Sequence, residues 1–169
     1  MTLQGLHVEA VDPNSFEYGQ HSSHFSGRLV KLYRISYEGS VPRIIINGGW
    51  SSELFFHGTG HCGCLGERVV DTSSATTTIH SSEWCGSLHC ATQGILNHGH
   101  LRTWSHNGHF FSPNVSIASS YAQSKSANNP FLPFFMCKVR NFHDNGNGIC
   151  SVQKDSDIHP CFLAIVRNG

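Results

Sequence analysis

The residue types best suited to chemistry fall into two groups in this 169-residue chain. The first is the hexamer Leu54-Phe55-Phe56-His57-Gly58-Thr59. Three apolar residues run into a histidine, a pattern that reads as a short buried strand closed by the glycine. A histidine at the mouth of such a strand offers a ring nitrogen to a ligand. The glycine behind it, having no Cβ, lets that ligand lie against the backbone. This predicts the floor of a nucleotide pocket. On these six residues alone, a core strand ending in a solvated turn fits at least as well.

The second group is rich in thiols and imidazoles. Cys62, Cys64, Cys85 and Cys90 fall within 29 residues, interleaved with His61, His80 and His89. Four thiols and three imidazoles in so short a span suit tetrahedral zinc. The expected ligand set is Cys62, Cys64, Cys85 and Cys90, with His89 or His61 replacing one of them. The Cys-x-Cys spacing is tighter than the usual two-residue gap of zinc modules, and a disulfide pair or free thiols are the alternatives. Cys137, Cys150 and Cys161 sit singly among apolar residues and read as small buried hydrophobes. The odd total of 7 cysteines argues against a fully paired disulfide framework.

Composition narrows the partners. Charged residues are 13% of the chain and the formal net charge is zero, which disfavours a large electrostatic footprint for nucleic acid or an anionic membrane. A nucleic-acid end as substrate stays open. No basic segment leads into an apolar core at the start, and no apolar run reaches the length of a membrane span. Cytosol or nucleus is the default expectation, and the length suits one domain spanning 1–169.

The elements that must position these residues are mostly short. Residues 1–26 read as an irregular lead-in or a strand hairpin. Residues 28–37 alternate with β-branched and aromatic content and predict a strand. A second strand is expected at Ile44-Ile45-Ile46, followed by the opening apolar run at 54–56. From 60 to 83 the pattern collapses into glycine, serine and threonine, predicting a long loop or insertion. A short helix is expected over about 90–97 and an extended piece over 101–104. A short strand is expected at His109-Phe110-Phe111-Ser112, ended by Pro113. Residues 115–123 predict a helix, 131–140 a central strand once past Pro133, and 141–148 a loop. Strands are expected over 149–153 and 161–166. Many short strands with two short helices give an α+β domain dominated by antiparallel sheet. His98, His100, His106 and His109 are expected mainly at the surface, with a second metal site the lesser alternative.

The order of these pieces carries more than any one of them. His57-Gly58-Thr59 ends a strand, Gly94-Ile95-Leu96-Asn97-His98-Gly99 leads to Leu101-Arg102, and Gly108-His109-Phe110-Phe111-Ser112 precedes a Ser-rich helix with Tyr121. Ile158-His159-Pro160 opens the last strand. In this order the chain resembles the catalytic domain of the poly(ADP-ribose) polymerase family over residues 29–166. The resemblance implies an ADP-ribosyltransferase-like fold, a mainly antiparallel split sheet with short helices, and NAD as substrate. His57 would bond the ribose. Gly58 would hold the nicotinamide amide through its backbone, with Thr59 beside it. Tyr121 would stack on the nicotinamide ring, Phe110 would form the other wall, and Arg102 would lie near the adenosine or its phosphates. Stacking and cation–π attraction suit a flat cationic ring.

Three departures bear on activity. Ile149 falls near the place where chain-elongating members carry a glutamate, and no glutamate follows Glu83. Without that carboxylate nothing orients the acceptor hydroxyl of a growing chain, so the resemblance implies single transfer rather than polymer synthesis. Phe110 lacks a tyrosine hydroxyl. Ala118 stands where a serine often bonds the nicotinamide amide. In addition, 34 residues separate Thr59 from Gly94, which makes 60–92 a Cys/His-rich insertion. The leading expectation is an NAD-dependent mono-ADP-ribosyltransferase, a glycosyltransferase whose acceptor is a protein side chain, a nucleic-acid end or water. The runner-up is a catalytically inactive binding or interaction module on the same fold. The third is a zinc-binding structural protein.

Overall fold

The computed structural model describes residues 6–37, 49–58, 78–80, 108–125, 131–154 and 157–168. The elements are β1 (Leu6–Ala10), α1 (Phe16–Ser22), a 3-10 turn (Ser23–Phe25), β2 (Leu29–Tyr37) and β3 (Phe55–Gly58). They continue with β4 (Thr78–His80), β5 (His109–Phe111), α2 (Val115–Lys125), β6 (Phe131–Val139), β7 (His143–Gly146), β8 (Ile149–Val152) and β9 (Ile158–Arg167). The mixture of short helices and mainly antiparallel sheet is the expected α+β class.

Two sheets form. The larger has the order β3-β6-β9-β2-β1-β4, the smaller β5-β8-β7. Every pairing between these strands is antiparallel. β6 and β9 lie inside the large sheet. Nearly all of β6 is buried, including Leu132, Phe134, Phe135, Met136, Cys137 and Val139, because both of its faces are covered. Its sequence therefore reads as a continuous apolar run rather than an alternation. Pro133 lies within the strand, paired with Ile165 of β9. It is one residue beyond Phe134, the last β6 residue paired with β3, so it removes no hydrogen bond from that ladder.

The two faces of the large sheet carry separate cores. On one, Phe55, Phe135, Cys137, Val139, Leu163 and Ile165 pack against Phe111, Cys150 and Val152 of the small sheet. On the other, Phe56, Leu132, Phe134 and Met136 pack against Phe25 of the 3-10 turn and Val115 and Ala118 of α2. The described residues thus form three layers: small sheet, large sheet, helices.

Several expectations are corrected. Residues 6–26 hold a strand, a helix and a 3-10 turn in place of an irregular lead-in or a hairpin; Ser15 caps α1 by accepting from Tyr18 N–H. The expected loop over 60–83 contributes β4, which pairs with β1. The expected loop over 141–148 contains β7, which turns into β8 through Asn147 (φ 56) and Gly148 (φ 75). Two successive positive φ values match the tight turn that favours Asn-Gly between antiparallel strands. The strand at 44–46, the helix at about 90–97 and the extended piece at 101–104 lie outside the described residues.

Cys137 and Cys150 are buried and Cys161 is partly so, all three as free thiols. His109 is buried, at 9% exposure, rather than at the surface.

Candidate active site at the splay of two strands

The first site residue is placed by strand alternation. Phe55 and Phe56 anchor β3 in opposite cores, so His57 projects toward the small sheet and Gly58 toward the face that carries α2. β5 arrives from the small sheet and meets β3 at one bridge. Phe56 N–H donates to Ser112 O at 2.8 Å, and Ser112 N–H donates to Phe56 O at 3.1 Å. The chain then passes over the edge of β3 into α2, whose first turn is capped by Asn114, its Oδ1 accepting from Ser116 N–H at 2.9 Å.

Beyond that bridge the two strands part. Among the described residues, main-chain pairing of β3 with β5 is the isolated Phe56–Ser112 bridge. The Phe110 carbonyl, which a continued ladder would offer to Gly58, is taken by His57 Nδ1 at 2.9 Å. A carbonyl only accepts, so Nδ1 is the donor in this bond; in a neutral ring the lone pair is then on Nε2. The imidazole also meets the rings of His109 at 6.0 Å and Phe111 at 5.2 Å.

The alternation of an antiparallel strand fixes what Gly58 does. Phe56 points its N–H and C=O away from β6, toward Ser112. Two residues on, Gly58 points the same pair of groups to the same side, where the strands have parted. A main-chain donor and acceptor therefore lie side by side at the mouth of the splay.

The small sheet carries the other two expected residues. Phe110 pairs with Ser151 of β8, so Ile149, two residues from Ser151, lies on the same face as Phe110 and diagonal to it. Phe110 is 38% exposed, while His109 and Phe111 on either side are buried. Its ring thus faces away from the face on which His57 meets His109 and Phe111. His57 contacts Phe110 through the main-chain carbonyl. Gly148 brings the β7–β8 turn against α2. A Cβ there would lie 2.8 Å from Ile117 Cδ1, and φ is +75°.

No protein-family model matches the chain, and no curated protein matches it either.

The structure thus brings His57, Gly58 and the Phe110 carbonyl to one strand junction, while the Phe110 ring and Ile149 share the opposite face of the small sheet. Tyr121 lies on α2, the helix that packs over β3 and β6. Thr59 and Arg102 lie outside the described residues, as do Cys62, Cys64, Cys85, His89 and Cys90. Among the described residues no group of three or more His, Cys, Asp or Glu side chains is placed to hold a metal. Two participants escaped the sequence reading. His109 shares parity with Phe111 on β5, and that alternation was the available signal for its burial. Ser112 carries no signal of its own, because its bridge to Phe56 joins residues 56 positions apart in the chain.

Proposed function

We propose that the chain is an NAD-dependent mono-ADP-ribosyltransferase that uses the β3–β5 splay as its nicotinamide–ribose site. The observation that carries this reading is the side-by-side N–H and C=O of Gly58 beside the His57 ring, which the Phe110 carbonyl holds through Nδ1. A primary carboxamide needs one donor and one acceptor in a plane. A ribose hydroxyl needs an acceptor such as Nε2. In the proposed reaction the nicotinamide–ribose bond breaks through an oxocarbenium-like state, and an acceptor nucleophile forms the new bond to the anomeric carbon. Nicotinamide leaves with the bonding electron pair, and the acceptor's proton passes to solvent. No glutamate follows Glu83 in the chain, and Ile149 lies beside Phe110 on the face turned away from His57, so no glutamate from that stretch positions a second sugar hydroxyl, which supports single transfer.

A second reading is a non-catalytic module that binds NAD or a related nucleotide. It is favoured by the outward-facing Phe110, which supplies neither a hydroxyl nor, in its present orientation, a wall on the His57 side. For the Cys/His-rich segment, we propose a structural zinc held by Cys62, Cys64, Cys85 and Cys90, with His89 replacing one.

Thermal melting with NAD and with a nicotinamide-like carboxamide tests the site, since a ligand that binds the folded state raises its melting temperature. Label transfer from radiolabelled NAD separates transferase from binding module. Failure of both ligands to shift the melt removes the NAD reading.

A further inference from the structure

We propose that His7 and His80, opposed on β1 and β4, form a two-imidazole site for a divalent transition-metal ion at the edge of the large sheet. The site is independent of the NAD reading. It shares no ligand with the structural zinc proposed for Cys62, Cys64, Cys85 and Cys90.

The strand register brings the two histidines together. β1 and β4 pair antiparallel, with His7 opposite His80, Val8 opposite Ile79 and Glu9 opposite Thr78. On its other side β1 sets Val8 opposite Ile35, and Ile35 is buried in the core that the small sheet covers. Alternation therefore assigns Val8 and Ile79 to that core face, and His7 and His80 to the other. The same face carries Arg34 and Glu9, an ion pair at 3.8 Å whose side chains are 43% and 48% exposed. Directly opposed positions in an antiparallel pair set their Cβ atoms about 4.5–5.5 Å apart. Two imidazoles mounted at that spacing can close on one ion, at about 2.0–2.1 Å from each nitrogen. Imidazole suits zinc, copper and nickel. Water completes the coordination, since Glu9, two residues from His7, is engaged by Arg34.

The two histidines lie 73 positions apart in the chain, so only the paired strands present both. β4 is a three-residue strand at the end of the sheet order, inside the Cys/His-rich segment. A one-residue slip would set His80 opposite Leu6 or Val8 and carry it to the other face. An ion that binds one register stabilises that register. The bound metal thus fastens the inserted segment to the sheet edge.

The test titrates chelator-treated whole chain with zinc, beside His7→Asn, His80→Asn and the double variant. Equilibrium dialysis with metal analysis is expected to find one equivalent fewer in all three variants than in wild type, the double losing no more than either single. Zinc held by the cysteines is common to all four chains. In wild type, zinc is also expected to shield both His7 and His80 from acylation by diethylpyrocarbonate, read by peptide mapping. This second measurement needs no substitution, so it stands even where a variant does not fold. Equal zinc in wild type and variants, or zinc that leaves both histidines as reactive as before, overturns the proposal. So does a double variant that loses two equivalents where each single loses one, because the histidines then bind separate ions.

Discussion

At the residue scale, His57 bonds the Phe110 carbonyl and meets the rings of His109 and Phe111, without deep burial. His57→Ala is therefore expected to cost roughly 1 kcal/mol of stability while removing the melting shift with NAD and the transfer of label. Denaturant titration and melts with and without NAD measure the two effects separately. His159 makes a different prediction. It is partly buried, packs edge-on against Trp50 at 6.5 Å, and burial pushes its imidazole down to about 4 from 6.5. Between those values the unfolded chain binds a proton that the folded chain refuses, so stability falls as pH drops from 6.5 to about 4. His21, also lowered by burial, contributes with the same sign. Melting temperature followed across this range is expected to fall less steeply in His159→Gln. The thiols behave alike for a related reason. Burial pushes Cys150 up to about 11 and Cys137 well above its ordinary range, so little thiolate forms near neutral pH. Both are expected to resist alkylation until the chain unfolds, as peptide mapping of labelled protein would record.

At the element scale, α2 is the part whose position the site depends on. Its start is fixed by Ser112 Oγ accepting from Asn114 N–H at 3.0 Å and by the Asn114 cap on Ser116. Asn114→Ala is expected to cost about 1 kcal/mol and to weaken ligand binding as well, because the cap also sets where the helix leaves β5. Chemical denaturation and titration with benzamide, a nicotinamide-like carboxamide, check the pair. Elements were legible where burial imposes a pattern. β2, β5, β6, β8, β9 and α2 carry apolar or alternating runs, and the sequence places each within a few residues. α1 has no buried residue, so it lacks the helical apolar stripe, and its Ser15 cap was the remaining sign. β7 is exposed at all four positions, which makes it read as a loop. β4 is a three-residue strand in a serine- and threonine-rich stretch, and its partner β1 is about 70 residues away in sequence.

At the scale of the molecule, the described residues are held by a sheet with a core on each face and by a polar cluster at one end. There Arg140 Nε donates to the buried Asp157 at 2.8 Å, and its guanidinium lies 4.6 Å over the Trp50 ring. Removing Asp157 leaves the arginine uncompensated while Arg140 stays partly exposed. Asp157→Ala is expected to cost roughly 2–3 kcal/mol, read by denaturant unfolding. The proposed zinc is tested on the whole chain: metal analysis is expected to find one equivalent, and a chelator to lower the melting temperature. No zinc, with all 7 thiols titratable, would remove the site.

By itself the sequence determined the class of structure and the residues to watch. Apolar alternation gives antiparallel strands directly, and His57-Gly58 at a strand end marks a place where backbone and imidazole can meet a ligand. What only the tertiary structure decided is how those residues meet. The parting of β3 from β5 after the Phe56–Ser112 bridge, the transfer of the Phe110 carbonyl to His57 Nδ1 and the opposition of His7 to His80 all depend on contacts between distant segments. Local pattern records which side of its own strand or helix a residue prefers. It does not record which partner's edge will lie beside it, because that is set by the packing of two cores against one sheet.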